Sequence, residues 1–241
     1  MKVIRERMFQ RESLRAPGAF EGIRFERCVF SGCNIGLTTY AGWRVQIRNI
    51  EVVGCSSLAG TRAGPFIAED CLIDGLQTDD RITALAQPLL KHVTIRGRIG
   101  KLGIGDKPVL PISGQSKREY EALDAALTGE KNAFYSTVDW ALDIREAEVE
   151  LFEMSGIPLH LVHRDPETQM ILLREKIDDP NWRDKLSSGN WWARTLGGFS
   201  MADLTEREFL LVAPKNTPPR KYQKIFRDLQ ELREKGFIKS E

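Results

Sequence analysis

A repeat with a period of five residues constrains the fold of this chain more than any other feature of its sequence. From Gly18 the residues divide into GAFEG, IRFER, CVFSG, CNIGL and TTYAG, and from Leu142 into LDIRE, AEVEL, FEMSG and IPLHL. A period of five is neither the 3.6 of an α-helix nor the 2 of an open strand. It fits a short extended side followed by a corner. Four such sides make a coil of about twenty residues, which stacks on the next coil.

Each five-residue unit places an apolar or small residue at its centre and another two positions earlier. Because alternate side chains of an extended segment point to the same face, these two positions share the inner face of the coil. The intervening charged residues are then expected to point outward. The expected inward centres are Phe20, Phe25, Phe30, Ile35 and Tyr40 in the first block and Ile144, Val149, Met154 and Leu159 in the second.

A longer period, close to the length of one coil, links the two blocks. CVFSG (28–32), IEVVG (50–54), CLIDG (71–75) and VTIRG (93–97) share an apolar-x-apolar-x-Gly form and begin 22, 21 and 22 residues apart. FEMSG (152–156) repeats the form later. Glycine suits a strand that turns a sharp corner. The alternative is a chance alignment of short strands in a sandwich. The regular spacing favours a mainly β chain folded as a right-handed parallel β-helix of the quadrilateral type.

The two five-residue blocks, residues 18–42 and 142–161, resemble the pentapeptide-repeat family, whose members form right-handed quadrilateral β-helices. Residues 43–104 are similar to a looser parallel β-helix with coils of 21 to 22 residues. Members of the family that inhibit DNA topoisomerases are regularly coiled and strongly acidic. This chain has an interrupted repeat with 35 basic and 34 acidic residues. The resemblance therefore implies the fold, and we do not extend that activity to the chain.

The repeat is interrupted at about 105–139 by a segment that predicts a helix. KPVLPISG is a proline-rich loop, and SKREYEALDAAL has helical spacing. Ser116 and Glu119 form the S-x-x-E pattern of a capping box, and Gly129 lies where a helix is expected to end. The helix is either a docking or lid element, or an element that packs sideways on the coil.

Residues 162–241 depart from the five-residue period and are interpreted as a C-terminal α+β cap on a β-helix of residues 1–161. LHLVHRDPETQMILLREKI predicts a hairpin that turns at Asp165 and Pro166, and FLLVA (209–213) predicts a further strand. A helix is expected between Pro219 and Gly236, with one apolar face. The residues of that face are Tyr222, Ile225, Phe226, Leu229 and Leu232.

The composition predicts a cytoplasmic protein. The opening MKVIRERMFQRESLR lacks the apolar core of a signal peptide, and the sequence shows no apolar run of the roughly 20 residues that cross a membrane. Cys28, Cys33, Cys55 and Cys71 have no C-x-x-C spacing, which favours reduced thiols. At least Cys28, Cys33 and Cys71 occupy inward positions, where burial raises a thiol pKa and disfavours a nucleophile.

Candidate catalytic groups give no recognisable signature. His92, His160 and His163 are of the type that binds zinc, but their spacing does not bring the three together, so we expect no metal and no cofactor. Some β-helix enzymes cut polysaccharides with grouped acidic and basic residues. The corresponding cluster here is Asp70, Asp74, Asp79, Asp80 and Arg81, in which Asp79 and Asp80 suit a turn. We therefore predict no catalytic residue.

The sequence favours a non-enzymatic protein-interaction module, such as a bacterial immunity, antitoxin or regulatory protein. Its expected partner is another protein, with no membrane involved. The predicted binding residues are an acidic band on the second block and two tryptophans of the cap: Asp143, Glu146, Glu148, Glu150, Glu153, Trp191 and Trp192. The first alternative is a carbohydrate-active β-helix lyase or hydrolase. The second is nucleic-acid association through the basic C-terminal helix, which carries no recognised motif.

Overall fold

The computed structural model describes residues 1–14, 18–35, 44–106, 116–198 and 207–240. Within that part, fourteen strands form one large sheet that is parallel throughout and curls around an apolar interior, as in a β-helix or solenoid. Its strands are β1 (Lys2–Arg5), β2 (Met8–Gln10), β3 (Ser13–Leu14), β4 (Ala19–Glu26), β5 (Val29–Ser31), β6 (Asn34–Ile35), β7 (Val45–Leu58), β8 (Arg62–Ala63), β9 (Phe66–Thr78), β10 (Thr83–Ala86), β11 (Leu89–Gly105), β12 (Leu142–Asp143), β13 (Ala147–Met154) and β14 (Val162–His163).

Successive coils stack residue on residue, and this stacking builds the core. Along one ladder, Phe25 pairs with Val52, Val52 with Ile73, and Ile73 with Ile95. Ile95 is 1% exposed and Ile99 is fully buried, while the earlier rungs are partly buried. The expected inward centres lie in or against this core, except Tyr40, which is outside the described residues. The stacked apolar side chains remove apolar surface from water, most completely along β11 and β13.

The corners of the coils explain the five-residue period. Left-handed backbone occurs at Asp70 and Gly75 in one coil and at His92 and Gly97 in the next. The two positions are five residues apart in each coil. Gly97 has φ +69°, and a Cβ there would lie 3.3 Å from the backbone nitrogen of Gly75 in the coil before it. Asn and Asp tolerate this conformation better than other non-glycine residues, which suits Asn49 and Asp70. The period is therefore set by the corners.

The register differs from the predicted one in two coils. IRFER (23–27) stacks on IEVVG, whereas CVFSG stacks on residues 55–59, one side further along. Likewise FEMSG stacks on residues 102–106 and not on VTIRG. IEVVG, CLIDG and VTIRG do stack as predicted. Every side of a coil can carry the same apolar-x-apolar form, so the form alone does not tell one side from another.

The four cysteines lie inside the curled sheet as free, buried thiols. The Sγ of Cys28 donates to the carbonyl of Ile4 at 3.4 Å, and that of Cys55 donates to the carbonyl of Phe25 at 3.5 Å, each one coil away. Burial raises the pKa of the Cys55 and Cys71 thiols. This placement is the expected one for core-filling side chains.

The interrupting segment contains the helix α1 (Lys117–Tyr135), which begins with the predicted capping box of Ser116 and Glu119. The predicted end at Gly129 is wrong, because the helix continues for six more residues. A single glycine inside a helix costs only about 1 kcal/mol. Packing of the buried Leu127 and Tyr135 on either side offsets that cost. The predicted proline-rich loop, residues 107–114, lies outside the described residues.

The predicted hairpin after residue 161 is wrong. β14 pairs in parallel with β12 and so continues the coil to His163. β15 (Gln169–Leu173) instead pairs antiparallel with β16 (Glu208–Val212). Asp165 still makes a turn, since its carboxylate accepts from the backbone of Glu167 and the hydroxyl of Thr168.

A second apolar core holds the cap together. It joins β15 and β16 to α2 (Trp191–Gly198) and α3 (Pro219–Glu234), with Ile225, Leu229 and Leu232 almost fully buried. Asn216 fixes the cap to the coil, because its backbone nitrogen donates to the carbonyl of Val149 and its side chain donates to that of Ile99. No helix in the described part of the chain is long and apolar enough to span a membrane.

Candidate functional site

Two imidazoles and one indole stack on the outer face of the last coils. The rings of His92 and Trp140 have centroids 4.7 Å apart, and the rings of Trp140 and His163 have centroids 5.2 Å apart at an interplanar angle of 21°. His92 stands at a left-handed corner, Trp140 follows α1, and His163 ends β14. The three side chains therefore come from three separate turns of the chain. We call them the imidazole–indole stack.

Two carboxylates contact His92, which lies at one end of this stack. Nε2 of His92 lies 2.7 Å from Asp139, and Nδ1 lies 3.1 Å from Asp70. The hydrogen bond to Asp139 and, more weakly, the one to Asp70 raise the pKa of His92 above its usual 6.5. The same contact with His92 lowers the pKa of Asp139. A protonated ring donates from both nitrogens, so it ties the segment after α1 to the coil two levels below.

The His92 contact predicts a specific pH dependence of stability. Since its pKa is raised on folding, the stabilisation is complete below about pH 6.5 and is lost as the pH rises through the folded pKa. His92→Gln should therefore be less stable than the wild type at about pH 5.5, and the gap should narrow above neutrality. Urea denaturation of both proteins across this range measures it. His160→Gln, at an exposed position outside the stack, is the control, and a gap that stays constant with pH would contradict the prediction.

His163, at the other end of the stack, belongs to a second charged group. Arg145 donates to Asp143 from Nε and Nη2, the latter at 2.5 Å, and Nδ1 of His163 lies 3.9 Å from the same carboxylate. Burial by itself would raise the pKa of Asp143, but the hydrogen bonds and charge of Arg145 bring it below the usual value. Only 16% of the Asp143 side chain is exposed. It is a paired group rather than an open part of an acidic band.

The histidines are closer together than their spacing indicates. His92 and His163 contact opposite faces of Trp140, and His160 and His163 line one cavity. Sequence reasoning missed this arrangement because α1 separates His92 from the other two along the chain. Among the described residues, no three His, Cys, Asp or Glu side chains are placed to hold a metal ion.

The aspartates considered for a carbohydrate-active enzyme lie on different corners and faces. Asp70 contacts His92, and Asp74 accepts from Arg96 one coil away. Asp79 accepts from the backbone nitrogens of Ala59 and Arg81, and these hydrogen bonds lower its pKa. The Asp79 contacts are those of a turn. Asp70, Asp74 and Asp79 therefore each have a structural partner of their own.

The remaining residues of the acidic band lie along or just before β13. Glu146, Glu148 and Glu153 are exposed, and Glu150 is half-buried with a carboxylate oxygen 3.4 Å from the Nζ of Lys101. Their outward orientation agrees with the five-residue register of the second block.

A mostly apolar groove of about 650 Å³ lies between the coil and the cap, with Glu150 and Glu153 in its lining. Its floor contains Ala84 of β10 and Gly103 of β11, which are paired with each other in the sheet. Alanine carries only a methyl group and glycine carries no side chain, so space remains open above them. Its cap wall is formed by Trp191, Leu196, Phe209 and Leu211. We call this feature the cap groove. The two acidic residues come from β13 and the apolar wall from α2 and β16, so no local sequence pattern predicts that they meet.

The two tryptophans predicted to bind a partner have different environments. Trp191 is half-buried in the wall of the cap groove, with its ring 4.6 Å from that of Trp192. Trp192 is only 5% exposed, and its indole nitrogen donates to the carbonyl of Ile225 in α3. Trp192 also lines the cap groove, but it is mostly buried and its main contacts are with the cap core.

The basic face of the C-terminal helix is exposed. Arg220, Lys221, Lys224 and Arg227 point away from the cap core, while Ile225 and Leu229 pack into it. Nζ of Lys224 lies 3.0 Å from a carboxylate oxygen of Asp228.

Comparisons with protein-family models, curated proteins and solved structures each gave no match for this chain.

Proposed function

We propose that this chain is a non-enzymatic protein-interaction module whose cap groove binds a basic amphipathic helix of a partner protein. The observation that carries the proposal is one groove of about 650 Å³ with apolar walls and a rim on which two carboxylates, Glu150 and Glu153, face one cation, Arg62. Helix-in-groove recognition uses an apolar stripe for affinity, and flanking charges set orientation and association rate. A partner helix with apolar residues three and four apart and Lys or Arg beside them fits both features.

The rigidity of the scaffold supports this use. The floor of the groove is part of the stacked sheet, and its wall is fixed to the second core through Trp192 and the neighbouring Leu196. Little conformational entropy is lost when such a surface binds. We infer further that the coil is a quadrilateral β-helix of the pentapeptide-repeat type, since its corners recur every five residues. Four buried free thiols suit a reducing, cytoplasmic location. A bacterial immunity, antitoxin or regulatory role is compatible with this module.

Selection from a displayed library of random peptides tests the groove directly. Enriched peptides are expected to be basic and amphipathic. Glu153 lines the groove, and Glu148 is exposed on the same strand, β13, outside the groove lining. Reversing both to Lys should slow the association of these peptides about tenfold at low salt and weaken the salt dependence of the rate. Both side chains are exposed, so folding stability should change by no more than about 0.5 kcal/mol.

A matched control separates local from general charge effects. Glu121→Lys with Asp184→Lys changes the net charge equally on exposed residues of α1 and the cap, and it should leave association unchanged. Trp191→Ala should speed dissociation by roughly tenfold, because it removes part of the apolar wall. Peptides that bind all of these variants like the wild type would place the interface elsewhere and contradict the proposal.

A further inference from the structure

A second cavity, which shares no lining residue with the cap groove, is lined by cationic and imidazole side chains. It has a volume of about 620 Å³ and lies where the last coil meets the tail of the cap. Its lining includes Arg145, Arg164 and Lys239 together with two imidazoles, His160 and His163. These groups come from three separate places in the chain, so neither their spacing nor a local charge run reveals them.

Among the described residues, basic side chains outnumber carboxylates at this cavity. Glu208 lines it and accepts from the Nζ of Lys239 at 2.6 Å, and Asp143 stands behind Arg145. Three permanent cations therefore face two carboxylates. An ammonium group carries three N–H donors, of which the bond to Glu208 uses one. The guanidinium of Arg145 meets Asp143 through Nε and Nη2, and its remaining nitrogen carries two further donors.

The cationic side chains are held in place before any ligand arrives. Nη1 of Arg164 donates to the carbonyl of Gln169 at 2.9 Å, and Gln169 is itself fully buried and donates to the carbonyl of Ile144. His163 is oriented by its stacking on Trp140. The backbone of Lys239 donates to the carbonyl of Ile171, which fixes the tail at the cavity. Preorganised donors reduce the entropy lost when an anion binds.

We propose that this cavity binds a small phosphorylated molecule, with Arg145, Arg164 and Lys239 contacting its phosphate. A phosphate accepts hydrogen bonds from several directions, and arginine is especially suited to it. The volume lies within the usual range of small-molecule sites and exceeds what a single phosphate fills, which leaves room for an organic group of nucleotide size.

Isothermal titration calorimetry at constant ionic strength tests this, with inorganic phosphate, pyrophosphate, adenosine monophosphate and acetate as separate probes. We expect saturable binding of the phosphates, tighter binding of the larger ones, and weaker binding of acetate. Lys239→Gln should weaken pyrophosphate binding about tenfold, as expected for loss of a charge-assisted hydrogen bond. Glu208→Gln should instead tighten it, because a competing carboxylate is removed.

The matched control is Lys185→Gln. Lys185 also pairs with a carboxylate, Asp179 at 2.8 Å, but lies outside the cavity. It should leave pyrophosphate affinity unchanged, while thermal melts without ligand verify that all variants are folded. No saturable phosphate binding, acetate bound more tightly than phosphate, or an affinity unaffected by both Lys239→Gln and Glu208→Gln would overturn the proposal.

Discussion

Replacing Ile95 by Asn is expected to destabilise the chain by about 4 kcal/mol or more. Ile95 is 1% exposed and stacks on Ile73 in the coil before it. The substitution removes buried apolar volume and adds an amide whose hydrogen-bonding groups face an apolar interior. A loss of this size is a large fraction of the stability of a typical domain. Urea denaturation followed by circular dichroism measures it.

The neighbouring position provides the control for this effect. Thr94 precedes Ile95 on β11 and is half-buried on the opposite, outward face of the strand. Thr94→Asn introduces the same amide where water can solvate it, and should change stability by less than about 1 kcal/mol. Similar losses from the two variants would contradict the inward and outward assignment of this strand. That result would remove the basis for placing the acidic residues of β13 outside.

The five-residue period was enough to predict the curled parallel sheet, because it reflects a local property of the chain. A corner needs a residue that accepts positive φ, and the side after it needs apolar residues at alternate positions, as at Gly75 and Gly97. Stacking between coils is not local. CVFSG and IEVVG have the same form, yet the coil that separates them is longer than the two coils that follow, so they lie on different sides. A pattern within one side does not tell how many residues complete a coil.

The sites were harder to predict for the same reason. The outward position of Glu148 and Glu153 follows from the period of the second block. The cap groove and the phosphate cavity, by contrast, depend on how the cap meets the coil. The hairpin predicted at Asp165 does not form, because β14 pairs with β12 and β15 pairs with β16. That exchange of partners brings Lys239 and Glu208 beside Arg145.

The attachment of α1 to the coil depends on a buried cation. The side chain of Arg44 is 1% exposed, and its Nε donates to Glu130 of α1 at 2.8 Å. Its Nη1 donates to the carbonyl of Gln87 at a corner of the coil. Removing the partner of a buried charge costs more than the pair contributes, since the charge remains without compensation. Glu130 is therefore the residue of α1 whose loss should matter most outside its apolar face.

Glu130→Ala is expected to cost about 2 kcal/mol or more, because the buried guanidinium of Arg44 then loses its carboxylate and keeps, among the described residues, the carbonyl of Gln87. Adding Arg44→Met should recover most of that loss, since an apolar side chain of similar length needs no partner. Glu121→Ala, which removes an exposed carboxylate 3.7 Å from Lys117 on the same helix, should cost no more than about 0.5 kcal/mol. Urea denaturation gives the energies, and hydrogen exchange of the α1 amides shows whether the helix detaches first. If Glu130→Ala behaves like Glu121→Ala, the helix is held only by its apolar side chains, Leu123, Leu127 and Tyr135.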